Sequence, residues 1–402
     1  MIVQNIAVVE RRGGAALTAS VRSESAGFAP FDLEYFVRDG RPEWLSATGD
    51  PFVAALLQLA MARGERLRVE GPVSPRLLGS LPTIVEIYRA WRPGFSRIDV
   101  AAAEVAAARR GGPACGLFFS AGVDSFYSLL KNDDAARGEE RISHLVLVFG
   151  FDIRLKNPTL FEQIATRAVR VAERAGKQLV IVETNVRSLS DPIASWDLYH
   201  GGPMAGVGLA LGGLMHRVVV ASSYAYQELH PWGSHPLLDP LWSNEGVELI
   251  HDGCEATRLQ KVRRIATSEL ALASLRVCWT NEDTQYNCGR CEKCLRTMIA
   301  LRIAGGLDRC STFAQPLTAE AIRRITTIGS EYSAIFLREL LAALDASPRD
   351  AHLAAAVRSV IRSGLRRARV GRILRDHVGP WATFPGVRRA LHDMRAAQVR
   401  PS

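Results

Sequence analysis

Four cysteines crowd into seventeen positions of this 402-residue chain, at Cys278, Cys288, Cys291 and Cys294. Thiolates at this spacing can close a tetrahedral shell around one Zn²⁺ and leave no open coordination position, so the predicted role is structural. The remaining cysteines, Cys115, Cys254 and Cys310, are predicted to be core or loop residues rather than ligands. An iron–sulfur cluster is the competing interpretation, because three cysteines separated by two residues also suit one.

A second group of residues has the types and order of a phosphate-binding loop. An apolar strand is predicted to end at Phe119, and a helix is expected to begin near Asp124-Ser125. Backbone N–H groups and two hydroxyls, from Ser120 and Ser125, would then lie at a helix N-terminus, where the dipole favours an anion. Asp124 would repel phosphate without a cation between them, which suggests Mg²⁺. The alternative is an ordinary strand–turn–helix whose serine caps the helix.

The loop Ser120-Ala121-Gly122-Val123-Asp124-Ser125 resembles the Ser-Gly-Gly-x-Asp-Ser loop of the PP-loop N-type ATP pyrophosphatases, with Ala121 in place of a glycine. Cys278 and the run Cys288-Gly289-x-Cys291-x-x-Cys294, followed by Leu295-Arg296, add a second likeness. Together they resemble the 7-cyano-7-deazaguanine synthase family over about residues 113–305. The resemblance implies ATP, Mg²⁺ and Zn²⁺ as cofactors, and a ligase that adenylates a carboxylate and forms an amide or nitrile.

The resemblance also implies a set of site residues. Asp152 fits the acidic position after the second strand, and Arg258, after the predicted helix cap Thr257, stands where the family usually has a lysine. The alternative for Arg258 is a solvent-facing residue in the first helical turn. The implied catalytic residues are Asp124, Ser125 and Arg258, and the implied nucleotide-binding residues are Ser120, Ala121, Gly122, Val123, Asp124, Ser125 and Asp152.

The substrate-binding stretches of that family are not clearly present. Two segments rich in aromatic and polar residues, Trp196–Met204 and Ser222–Asp239, stand where they should lie. These segments could line a different acceptor pocket, or they could be loop residues packed on the sheet. The side chains singled out in the second segment are Tyr224, His230, Trp232, His235 and Asp239.

Apolar runs alternate with helical patterns through the middle of the chain, which predicts an α/β fold with a parallel sheet covered by helices on both faces. We therefore predict a small N-terminal α+β accessory domain (1–108), a PP-loop core with the zinc knuckle (109–314) and a helical, basic C-terminal region (315–402). The predicted core strands are Gly116–Phe119, Leu145–Phe149, Leu179–Val182 and Val218–Ala221, with a helix at Phe161–Ala175.

The sequence also predicts secondary-structure elements in the two flanking regions. Strands are predicted at Ile2–Val9 and Ala15–Val21. A helix is predicted to follow, with Asp50 as its N-cap. The predicted C-terminal helices are Thr318–Ile325, Ser330–Leu344, Asp350–Ser363 and Arg366–His377, before a break at Gly379-Pro380.

The net charge of +9 is concentrated at the C-terminal end, where eleven arginines follow from Arg358 onward against two aspartates. Such a tail can meet a polyanion such as nucleic acid, or it can be a solvated arginine-rich face. Apolar runs are too short to span a membrane, and the first residues do not form a secretory signal, so a cytoplasmic location is expected.

The leading hypothesis is an AMP-forming carbon–nitrogen ligase that joins a deazaguanine-like acid to ammonia or an amine. The resemblance extends to relatives in antiphage systems, which suggests a protein acceptor, and a homodimer or hetero-complex is expected. One alternative is a PP-loop enzyme of tRNA thiolation or base modification. Another is a nucleotide sensor that binds ATP without catalysis.

Overall fold

A computed structural model of the chain describes residues 1–23, 28–281, 285–326, 328 and 331–378; the side chains of 331, 333 and 371–378 are outside that description. The chain forms two compact units. The first comprises Met1–Gly289 and Ala300–Gln315, and the second the described residues of Arg290–Ile299 and Pro316–Ser402. In the part of the chain described, no helix combines the length and apolar character needed to cross a membrane.

The first unit is built on one ten-stranded sheet, in the order β10-β9-β6-β7-β8-β3-β2-β1-β4-β5. The strands are β1 Ile2–Arg11, β2 Gly14–Arg22, β3 Phe31–Arg38, β4 Leu67–Val73, β5 Val100–Val105, β6 Ala114–Phe118, β7 His144–Phe149, β8 Gln178–Thr184, β9 Met215–Ala221 and β10 Glu248–Asp252. The helices are α1 Asp50–Arg63, α2 Pro75–Trp91, α3 Val123–Ala135, α4 Pro158–Ala175, α5 Val186–Ser190, α6 Trp196–Tyr199, α7 Gly201–Ala210, α8 Arg258–Ile265, α9 Glu269–Ser274, α10 Glu292–Ile303, α11 Ala319–Arg323, α12 Glu331–Asp345 and α13 Ala351–Val378.

The half of the sheet formed by β10, β9, β6, β7 and β8 is parallel throughout. The chain passes from β6 to β7 and β8 on one side, then returns to β9 and β10 on the other side of β6. The direction of winding therefore reverses between β6 and β9, and ligands of such sheets bind in the crevice at that point. The predicted α/β class, with a large and mostly parallel sheet flanked by helices, is confirmed.

The N-terminal strands continue the same sheet, because β3 pairs with β8 in antiparallel register, with Val37 opposite Val182. Helix α1 is buried from Asp50 to Met61 and packs on the glycine-rich α7. A Cβ at Gly206 would lie 2.7 Å from the carbonyl oxygen of Pro51, so glycine is what lets the two helices approach. Residues 1–108 thus share a core with the strands that follow. That they form a domain of their own, with a boundary at 108, stays a prediction.

Asp50 does not cap α1 as predicted, because Gly49 is the N-cap and Asp50 is the first helical residue. Its buried carboxylate accepts hydrogen bonds from the backbone N–H of Ser74 at 2.8 Å and the side-chain amide of Asn244 at 2.7 Å. These bonds satisfy a carboxylate that would otherwise be costly to bury. The Asp50 side chain, predicted to cap its own helix, instead connects three segments that are distant in sequence.

In the second unit, the two helices predicted over 350–363 and 366–377 form one continuous helix, α13. Gly364 lies within it at a close approach, since a Cβ there would be 2.7 Å from the carbonyl oxygen of Ile328. Ser330 and residues 379–402, which include the predicted break at Gly379-Pro380 and the end of the basic tail, lie outside the described residues.

Candidate functional site

The predicted phosphate loop lies at the carboxyl end of β6, beside the point where the sheet reverses its winding. Strand β6 ends at Phe118 and α3 begins at Val123, with Gly122 as its N-cap and no side chain capping the helix. The Ser125 hydroxyl donates to the Gly122 carbonyl at 3.2 Å instead of accepting from a backbone N–H. Because no serine caps α3, the N–H groups of its first turn face the place where an anion would bind.

Ala121 adopts a left-handed backbone conformation, with φ at +58°, and is buried. Its carbonyl oxygen accepts a hydrogen bond of 2.8 Å from the backbone N–H of Arg276, which helps hold this conformation. A non-glycine residue in the left-handed region costs roughly 1–2 kcal/mol, and such strain clusters at ligand-binding loops. The alanine therefore occupies the one loop position where glycine would be favoured.

An Ala121→Gly variant is expected to be more stable than the parent by about 0.5–1 kcal/mol, because glycine relieves the strain but gains freedom in the unfolded chain. Denaturant unfolding measures this difference. Ala256→Gly is the matched control, since Ala256 is a buried loop residue without positive φ. We expect that control to be destabilised by a similar amount. Destabilisation of Ala121→Gly would contradict the assignment of strain.

Two basic residues of α8 converge on the loop acid. The Arg258 guanidinium lies 2.8 Å from the Asp124 carboxylate, and the Lys261 ammonium lies 3.5 Å from the same oxygen. Lys261 also donates to the Ser222 carbonyl at 2.7 Å, directly after β9. Burial lowers the pKa of Lys261, and the charge of Asp124 opposes that effect. Arg258 is thus buried against the loop and is not solvent-facing.

Sequence reasoning missed Lys261, although a signal for it was present. Thr257 caps α8 as predicted, with its side chain accepting from the N–H of Gln260, so Arg258 is the first helical residue. Residues three apart share a helix face, so a lysine three positions after Arg258 was placed to reach the same acid. Lys261 therefore lies on the same helix face as Arg258, one turn further along, and both side chains approach Asp124.

Asp152 is joined to the loop through a short segment between α9 and the cysteine run. The side-chain amide of Asn281 donates to the Asp152 carbonyl at 2.9 Å and also accepts from the Arg276 guanidinium. Arg276 is buried, and its Nε has no hydrogen-bond partner among the described residues. Because its backbone binds Ala121, this segment brings a further buried cation, absent from the predicted set, to the side of the loop.

A cavity of about 320 Å³ opens at the carboxyl ends of β7 and β8, the size of a small-ligand site. Burial lowers the pKa of the Arg187 guanidinium to about 10, and the nearby charge of Arg154 adds to that effect. Three cationic side chains, from Arg154, Lys156 and Arg187, lie in the cavity walls. The walls consist of Gly150, Arg154, Leu155, Lys156, Thr184, Asn185, Arg187 and Ser188.

The two segments proposed to line an acceptor pocket do come together. Trp232 packs edge-on against His200, with ring centroids 5.6 Å apart, and against Tyr224 at 5.5 Å. Trp196 contacts both His200 and Phe151, which follows β7. A set of rings at the strand ends could stack on a planar heteroaromatic ligand. His235 and Asp239 point elsewhere, His235 onto Trp91 and Asp239 onto His251.

The four predicted metal ligands form one cluster, in which the sulfurs of Cys278, Cys288, Cys291 and Cys294 all lie within 4.8 Å of one another. A tetrahedral zinc–thiolate shell needs sulfurs about 3.8 Å apart, so a small contraction would close it. The backbone N–H of Cys294 points at the Cys291 sulfur, 3.5 Å away, which suits a thiolate. The donor set thus fits a metal ion such as zinc.

No family model, curated protein or solved structure matches this chain. What can be said of its function therefore depends on the residues of the loop, the basic face of α8 and the cysteine cluster.

Proposed function

We propose that this protein is an ATP-dependent enzyme that cleaves ATP between the α and β phosphates and releases AMP and pyrophosphate. The observation that carries the proposal is the convergence of Arg258 and buried Lys261 on Asp124, in the first turn of an uncapped helix at the switch point of a parallel sheet. Fixed positive charge and the N–H groups of a helix N-terminus are what a triphosphate requires.

The proposed roles follow from the positions of the side chains. The N–H groups of the loop, with the hydroxyls of Ser120 and Ser125, bind the phosphates of ATP. Lys261 and Arg258 offset the charge that develops on pyrophosphate as it leaves, and the protein mainly positions reactants and neutralises charge. Asp124 and a phosphate oxygen are the oxygen ligands that Mg²⁺ prefers, and the ion would add further charge neutralisation there.

We propose a carboxylic acid as the second substrate, whose oxygen attacks the α-phosphorus to give an acyl-adenylate. Ammonia or an amine then displaces AMP and leaves an amide, which a second activation could dehydrate to a nitrile. The ring cluster around Trp232 supports a planar acid such as a deazaguanine. The loop and the cysteine run support membership of the 7-cyano-7-deazaguanine synthase-like PP-loop enzymes, acting in the cytoplasm with zinc in the knuckle. A protein amine as the acceptor, and a dimer or hetero-complex, belong to the same proposal.

The zinc-loaded protein is expected to release AMP and pyrophosphate from ATP and Mg²⁺ only when 7-carboxy-7-deazaguanine is present. Chromatography of the nucleotides after incubation, with and without ammonium, separates AMP from ADP. Release of ADP would contradict cleavage at the α–β bond. ATP binding without any cleavage, across a panel of planar acids, would instead favour the nucleotide-sensor hypothesis.

A further inference from the structure

Three titratable side chains form a buried row at the carboxyl end of β10. The His251 Nδ1 and an Asp239 carboxylate oxygen are 2.7 Å apart, and both side chains are only 3% exposed. The Ser234 hydroxyl donates to the same Asp239 oxygen at 2.6 Å, and the backbone N–H of His235 donates to the other at 3.2 Å. The carboxylate is thus fixed from three sides, and it holds the imidazole with Nδ1 protonated.

The other ring nitrogen of His251, Nε2, is buried and takes no hydrogen bond among the described residues. The third side chain, Cys254, interacts with this imidazole, and its thiol also lies 3.2 Å from the Ser222 hydroxyl. A carboxylate on Nδ1 of an imidazole that also interacts with a thiol supplies the three kinds of group found in a catalytic triad.

The electrostatics of the row favour a thiolate–imidazolium pair. Burial raises the pKa of the Cys254 thiol, but His251, the Ser222 hydroxyl and the charge of Lys261 outweigh burial and bring the pKa below its ordinary value. Burial would lower the pKa of His251, yet Asp239 and Cys254 raise it to about 9. A thiolate is the reactive form of cysteine.

The other two cysteines outside the metal cluster show the opposite behaviour. Burial raises the pKa of the Cys115 thiol to about 11 and also raises that of Cys310. The exposures of Cys115, Cys254 and Cys310 are similar, at 1%, 3% and 5%. Burial therefore does not distinguish Cys254 from the other two; its imidazole and ammonium neighbours do.

Cys254 also lies next to the phosphate loop. Its thiol contacts the side chain of Ser222, whose carbonyl accepts from Lys261, and Lys261 reaches Asp124. The backbone N–H of Ser222 in turn binds the Asp252 carbonyl, which ties the ends of β9 and β10 together. The row therefore stands at the crevice where an adenylated substrate would form.

We propose that Cys254 is a nucleophile, paired with His251 and positioned through Asp239, that takes the acyl group from the acyl-adenylate. The acyl-transfer step rests on the proposed function. The thiolate attacks the acyl carbon, a C–S bond forms, and the bond from that carbon to the phosphate oxygen breaks as AMP leaves. The amine then attacks the thioester carbon, the C–S bond breaks, the thiolate returns to its imidazolium partner, and the surplus proton of the amine passes to solvent.

Alkylation of the native zinc-loaded protein by iodoacetamide tests the nucleophile without any substrate. With site-resolved mass spectrometry between pH 6 and 9, we expect Cys254 at pH 7 to react at least about tenfold faster than Cys115 and Cys310. His251→Gln should abolish this advantage. Asp239→Asn should move the pH profile upward, because the imidazolium loses its carboxylate while Lys261 beside the thiol and His235 beside the ring remain. Alkylation of Cys254 no faster than Cys310, or unchanged in His251→Gln, would overturn the proposal.

The acyl-transfer step has its own readout. Acid-quenched wild-type protein should carry the acyl group on Cys254, removable by hydroxylamine, whereas Cys254→Ser should release pyrophosphate and retain the acyl-adenylate, without amide turnover. Amide formation at an unchanged rate in Cys254→Ser overturns the step. If the wild type releases no AMP from any acid tested, the proposed function fails, and the alkylation rates alone then decide whether Cys254 is a nucleophile.

Discussion

A Cys278→Ser variant is expected to lose its bound zinc and several kcal/mol of stability, which lowers the midpoint of thermal unfolding by roughly 10 °C. A serine hydroxyl is not deprotonated at neutral pH and is a poor zinc ligand, so the tetrahedral shell would open. The effect should spread to the phosphate loop, because Cys278 follows closely on Arg276, whose backbone holds the Ala121 carbonyl. We expect ATP affinity to fall as well.

The matched control for this variant is Cys310→Ser. Cys310 is a buried cysteine of the same unit whose thiol donates to the Leu272 carbonyl at 3.3 Å, and a serine hydroxyl can keep that bond. Elemental analysis should give about one zinc per chain in the wild type and in Cys310→Ser, and almost none in Cys278→Ser. Iron with visible absorbance would instead establish the iron–sulfur alternative. A Cys278→Ser protein with full zinc content would contradict the ligand assignment.

A Lys261→Met variant is expected to form AMP roughly 10²–10³-fold more slowly, the usual loss when one fixed donor to developing charge is removed. Methionine has nearly the length of lysine and an apolar side chain, so it suits a position that is 1% exposed. The variant leaves Arg258 on Asp124. The loss should therefore appear mainly in turnover and ATP affinity, and only to a smaller extent in stability.

Lys131→Met controls for a change of charge near the site. Lys131 lies in α3, about two helical turns after Asp124, and pairs with Asp252 at 2.6 Å and Glu255 at 2.8 Å; its side chain is 36% exposed. AMP formation should stay within about threefold of wild type there, since exposed ion pairs contribute little. The role of Lys261 would be wrong if both variants lost the same amount of activity while their unfolding midpoints stayed near that of the wild type.

Much of the site could be predicted from local sequence. The strand, turn and helix around Ser120–Ser125 are set by neighbouring residues, and the helix that begins at Arg258 follows from its Thr257 cap. The cysteine cluster could be predicted for the same reason, because spacing alone brings three of its four sulfurs together. These predictions required only the order of neighbouring residues, and no knowledge of the tertiary fold.

The remainder depends on contacts between distant residues, which no local pattern carries. The row of Asp239, His251 and Cys254 needs a short turn, a strand and a loop to meet, and Arg276 reaches the phosphate loop through its backbone N–H. Asp50 has the sequence features of a helix cap. Its actual bonds to Ser74 and Asn244 could not be predicted, because these partners lie in other parts of the chain. The antiparallel pairing of β3 with β8 leaves no trace in the sequence of either segment, so it could not be predicted.

The pairing of β3 with β8 limits how early the sheet can complete during synthesis on the ribosome. Val37 of β3 must wait for Val182 of β8, about 145 residues later, so at 5–20 residues per second the edge of β3 stays unpaired for roughly 7–30 s. During this interval the N-terminal strands present an open edge, and α1 lacks the glycine-rich partner it buries against. Nascent chains of this protein are therefore expected to depend on chaperones, and slower translation before residue 178 should increase aggregation.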